Sequence, residues 1–134
     1  MKKLVVLFCL ILFASCVRRT PESLLMNQFQ IDLTDFNYSV KSFDDEWMIA
    51  DGRCRIVFSF DSITTDNISY LIGKGAVPLS ENSKKPSYRI PQKYLSEDKN
   101  GYYLYKEEDG TPENFSYFIL DLDNNEAVLY YQII

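Results

Sequence analysis

The chain has 134 residues, with 14 Lys and Arg against 19 Asp and Glu, three cysteines and no histidine. The missing imidazole excludes Ser-His-Asp and Cys-His nucleophile pairs and His-ligated zinc or iron, and so few thiols exclude thiolate metal clusters. An acidic chain without a basic stripe is a poor partner for nucleic acid, so no cofactor or metal is expected and the only catalytic machinery left open is a pair of carboxylates.

The amino-terminal residues carry an address. Lys2 and Lys3 precede the apolar run LVVLFCLILFA (Leu4 to Ala14), which is too short to span a bilayer as a helix and has the form of a secretory signal. Small Ala14 and Ser15 are followed directly by Cys16. This stretch resembles the lipobox of bacterial lipoproteins, with Phe13 where the box usually has Leu. The resemblance implies cleavage before Cys16 and acylation of its thiol, palmitate among the chains. It divides the protein into a signal peptide (1–15), a lipidated tether (16–20) and one α+β domain (21–134). No acidic residue follows Cys16 in Val17-Arg18-Arg19, which by the same resemblance places the protein on the outer membrane, facing the periplasm. An ordinary secretory peptide with an incidental cysteine is the alternative.

After the tether, Thr20 as N-cap, Pro21 at the first helical position and Glu22 in the first turn predict a short helix over 21–29. FNYSVKSF alternates as a half-buried strand. In WMIADGRCRIVFSF, Asp51-Gly52 between two apolar runs predicts a two-residue turn pairing about 46–50 with 53–60. The same alternation puts Cys54, Ile56, Phe58 and Phe60 on one face and Arg53 and Arg55 on the other, so Cys54 reads as a small core residue. TTDNISYLIGKG predicts a second helix at about 65–72, with Thr64 or Thr65 as cap, Ile68, Leu71 and Ile72 buried and Gly73 at its end.

Residues 76–100 contain Pro78, Pro86 and Pro91 and the polar run SENSKKPS, and read as a loop over the surface. YYLYKEE, FSYFILDL and AVLYYQII, joined by polar turns, form a three-stranded antiparallel meander whose last strand, apolar on both faces, belongs at the centre of the sheet. The fold expected is α+β, an antiparallel sheet of about six strands with two short helices.

Chemistry is chiefly absent from this pattern. The acids gather where turns are expected, at 44–46, 97–98 and 107–109. Asp121, Asp123 and Asn125 alternate like the opening of a calcium loop, but Glu126 stands where such a loop needs glycine, and the residues fit a hairpin turn. All ten tyrosines lie beyond the signal. Tyr103 and Tyr105 are the candidate binding surface, because an outward tyrosine offers a large rigid area with a polar tip; a tyrosine is equally a good strand residue on a half-exposed sheet. Trp47, the turn after it and the Tyr-rich meander are similar in pattern to small uncharacterised lipoproteins of Bacteroidetes, a likeness that implies no activity. The expected function is a non-enzymatic, membrane-anchored envelope protein that binds another protein, inhibitor- or immunity-like. A glycan-binding accessory lipoprotein and a carboxylate-only hydrolase are the alternatives.

Overall fold

Helix α1 (Pro21–Phe29) forms where its start signals stand: Ser23 donates its backbone N–H to Thr20 Oγ1 at 3.1 Å, and Thr20 returns its own N–H to Ser23 Oγ at 3.0 Å. This reciprocal box satisfies two donors that a helix start otherwise leaves unpaired. Helix α2 (Thr65–Gly73) repeats the device with Thr64 and Asn67. The computed structural model describes residues 19–48, 51–81 and 88–134, so the expected signal segment, Cys16 and most of SENSKKPS lie outside it. Among the described residues no helix is long and apolar enough to cross a membrane.

Six strands follow: β1 (Asn37–Met48), β2 (Asp51–Ser62), β3 (Val77–Pro78), β4 (Gly101–Glu108), β5 (Thr111–Asp121) and β6 (Glu126–Ile133). They form one antiparallel sheet in the order β1-β2-β6-β5-β4-β3, giving an α+β architecture. The meander β4-β5-β6 is present, and β6 occupies the interior of the sheet that its two apolar faces require.

The first hairpin departs from expectation. Asp51 and Gly52 are not the turn; they pair with Met48 and Trp47, so the chain reverses at 49–50, outside the described residues. Gly52 is needed for a different reason, since a Cβ there would lie 2.1 Å from the Trp47 ring. The glycine receives the indole on its bare backbone, a cross-strand pairing that covers an otherwise weak strand position. A bulge between Val40 and Ser42 absorbs one residue, so that Tyr38, Phe43 and Trp47 share a face despite their odd spacing.

Helix α2 also needs two corrections. Leu71 is buried, but Ile68 is only half-buried and Ile72 is 50% exposed, because the inward stripe of so short a helix is Asn67 and Leu71, four residues apart. Its reversal is made by Gly75 (φ 98°) and not by Gly73, which lets the Ala76 N–H donate to the Leu71 carbonyl at 3.1 Å.

The sheet is covered on both sides. Cys54, Ile56, Phe58 and Phe60 of β2, with Phe118 and Leu129, pack beneath the helices. On the opposite face Val57, Tyr103, Tyr117, Ile119 and Val128 pack beneath Leu79, Ile90 and Tyr94. Residues 79–81 and 88–95 therefore belong to a second cover, where the polar composition of 76–100 suggests a surface loop. Each large apolar side chain so buried contributes about 1.5–3 kcal/mol, which is why three apolar residues suffice to hold an irregular segment on the sheet.

Candidate binding surface

Strand register decides which side chains become neighbours. Tyr105 of β4 stands opposite Tyr117 of β5, Tyr117 opposite Tyr130 of β6, Tyr130 opposite Arg55 of β2 and Arg55 opposite Asp44 of β1. The next row on the same face runs Glu107, Phe115, Gln132, Arg53 and Glu46. Two adjacent rows thus concentrate four aromatic rings on the face opposite the helices, beside the part covered by Leu79, Ile90 and Tyr94.

The rings form a continuous series. Tyr117 and Tyr130 stack at 5.2 Å, Phe115 lies 5.7 Å from Tyr130, and Tyr105 lies 6.1 Å from Phe115. Arg89 closes one side: its Nη1 donates to the Tyr105 hydroxyl at 2.8 Å and to Glu107 at 3.1 Å, while its guanidinium sits 4.6 Å from the Phe115 ring centre. On the other side Arg53 and Arg55 are exposed. Tyr105, Phe115 and Tyr130 are half-buried, so each keeps part of its area open to solvent. Burial pushes the Tyr117 hydroxyl up to about 12 and raises Tyr105 and Tyr130. All three stay neutral at ordinary pH, as donors and acceptors between fixed positive groups. The result is a ledge of apolar area with polar tips and guanidinium margins, a composition suited to a protein partner.

The two tyrosines singled out in the sequence separate here. Tyr105 belongs to the ledge. Tyr103 does not: it is 4% exposed beneath Leu79, Ile90 and Tyr94, and its hydroxyl is buried with no partner among the described residues. The expectation of an outward Tyr103 fails because the segment assumed to be loop covers it. Phe115, Tyr130, Arg53, Arg55 and Arg89 were not singled out. Alternation in FSYF and YYQ marks their faces, but only the pairing register puts them side by side.

A second cluster lies on the helix face at the end of the sheet where Arg19 packs. Arg19 donates from Nε and Nη2 to the two carboxylate oxygens of Asp45, at 2.8 and 3.0 Å, and also to the Tyr131 hydroxyl. Its guanidinium lies 4.6 Å from the Trp47 ring centre, and Trp47 Nε1 donates to Asp45. Asp45 is thus not a solvated turn acid but a strand residue turned inward. Beneath it Cys54 is fully buried, and burial first, then the neighbouring Asp45 charge, push its thiol up to about 12. A thiol so placed is a packing group.

At the opposite end, Asp121 accepts the backbone N–H of Asp123 at 3.1 Å and the Asn124 Nδ2 at 2.8 Å, and pairs with Lys99 at 3.1 Å. Asn125 takes the left-handed conformation (φ 51°) that closes the hairpin. The alternating acids of DLDNN serve this turn. Comparison with family models, with curated proteins and with solved structures finds no match to the chain.

Proposed function

We propose that this chain is a lipid-anchored binding module of a bacterial cell envelope, held at the outer membrane through Cys16 and engaging a protein partner through the ledge of Tyr105, Phe115, Tyr117 and Tyr130. The observation that supports it is that Tyr105, Phe115 and Tyr130 are left half-open around the buried Tyr117, between Arg89 and Arg55, while Tyr94 and Tyr103 of the same face are buried. Half-open rings with rigid hydroxyl tips bury much area on binding and lose little side-chain freedom. The flanking guanidiniums select carboxylates on the partner, because a planar fork pairs with them in two-point geometry. The role is binding without catalysis.

Photo-crosslinking in intact cells tests this reading. A benzophenone amino acid at exposed Asp44, beside Arg55 in the ledge row, should give a discrete protein adduct, whereas the same group at Asp66, on α2 across the sheet, should not. Tyr130→Ser introduced with the Asp44 probe should abolish the adduct. Adducts of equal yield from both positions, or capture of isolated cell-wall glycan by the ledge in place of protein, would defeat it.

A further inference from the structure

Resting on the anchored reading, we infer that the corner of the sheet formed by Met48, Ile133 and Ile134 is seated in the lipid interface, so that the domain stands on the membrane in a fixed orientation and does not swing on its tether. Met48 is 81% exposed, Ile134 61% and Ile133 37%, and the three line one surface depression at the end of β1, β2 and β6. Three large apolar side chains exposed together at one corner mark a contact surface, where scattered single ones would mark nothing.

The occupant is set by where the chain leaves the described residues. Arg19 is fastened to Asp45 and Tyr131, which stand opposite Cys54 in one row of the sheet. Met48 is three strand residues beyond Asp45, about 10 Å further toward that end. Cys16 is three residues from Arg19 and reaches at most about 10 Å from it. An acyl chain on Cys16 therefore enters the bilayer nearer this end of the sheet than the other. The opposite end of β2, at Ser62, is eleven residues from Asp51 along the strand, about 36 Å away. Charge does not direct the contact: Glu46 and Asp51 share the depression with Arg53. The seat is apolar with a slightly acidic margin and takes the boundary between headgroup and acyl chain better on a neutral lipid surface than on an anionic one.

Trp47, the one tryptophan of the chain, pairs with Gly52 next to Ile133 and reports on this corner without a label. The full chain is produced in a bacterial host, extracted from its membrane fraction and reconstituted in phosphatidylethanolamine vesicles with and without brominated acyl chains. Mass spectrometry of the amino-terminal peptide reads the anchor, and Trp47 emission reads the corner. Acylated protein should lose Trp47 emission in brominated vesicles, and Met48→Ser with Ile133→Ser and Ile134→Ser should restore it while the acyl chains remain. Acylated protein whose emission is indifferent to bromine overturns the seating alone, including the case in which a second copy covers the corner. Loss of emission that persists unchanged in the triple variant overturns it too, since the anchor would then bring Trp47 near lipid without this contact. A mature chain without acyl groups removes the anchor and the orientation together.

Discussion

Replacing Arg19 by Met removes the guanidinium and keeps an apolar stem of similar reach, so it isolates the polar contacts that fasten the tether to the sheet. Those contacts are a two-point pair with Asp45, a hydrogen bond to Tyr131 and a stack on Trp47. The pair is partly open, with side chains 45% and 18% exposed, so it belongs near the upper end of the range for surface pairs, about 1 kcal/mol. The stack adds about 0.5–1 kcal/mol at an exposed site. The expected loss is about 1.5–2 kcal/mol, which for a domain of this size lowers the thermal midpoint by about 5–8 °C. Urea unfolding followed through Trp47 emission and far-ultraviolet dichroism measures it. Salt supplies an internal check: about 1 M NaCl screens the exposed pair in the parent and not in the variant, so the gap should narrow. A difference below about 0.5 kcal/mol, or one that salt leaves untouched, would show that Arg19 does not hold the tether.

Cys54→Ala should cost about 1 kcal/mol through a small cavity, and the native thiol should react with a thiol reagent only as fast as the domain opens; prompt labelling in the folded state would contradict its burial. Tyr103→Phe removes a buried hydroxyl that has no partner among the described residues, and should leave stability unchanged or raise it by up to about 1 kcal/mol; destabilisation in thermal melts would mean that the hydroxyl is satisfied. For Asp121, burial alone would raise the carboxyl, but hydrogen bonds from Asn124 and Lys99 outweigh it and hold it below the ordinary value. Its contribution is therefore present above the unfolded-chain value near ~3.9 and lost as pH falls through the lower folded value. Asp121→Asn should flatten that acid limb, and an identical pH dependence of the urea midpoint in parent and variant would argue against the pair.

What could be read from the chain in advance was whatever depends on neighbours in sequence. Thr20, and Thr64 or Thr65, marked both helix starts because an N-cap serves donors only two or three residues on. The alternation around Cys54 assigned its face because a strand has period two. The failures all involve partners far along the chain. Asp51-Gly52 satisfies the composition of a tight turn, yet Gly52 answers to Trp47 across the hairpin, a demand that local propensity does not contain. Residues 76–100 look polar, yet three of their side chains, Leu79, Ile90 and Tyr94, pack on the sheet and bury Tyr103. The ledge was half legible: the strands rich in tyrosine could be seen, but a row across β4, β5 and β6 exists only once their register is fixed.

The edges of the sheet bear on why a partner would choose the ledge. β1 is a long edge strand, and such strands invite pairing by any extended chain. Here the bulge between Val40 and Ser42 breaks the repeat that an added strand needs, and the inward Asp45 and outward Asp44 and Glu46 put charge along the remainder. The other edge is β3, two residues long and ending in Pro78, which has no N–H to offer. Of the two faces, one is covered by helices and the other partly by Leu79, Ile90 and Tyr94, with the two rows of the ledge beside them. Backbone pairing is thus discouraged at both edges, and the half-open aromatic area lies at the interior of a face, where side chains and not main-chain groups do the recognising. If the Met48 corner is seated in lipid, β5 and β6 rise from the membrane with the ledge on their flank. A partner reaching it would then approach along the bilayer surface, which restricts the search to two dimensions and favours another envelope protein over a freely diffusing one.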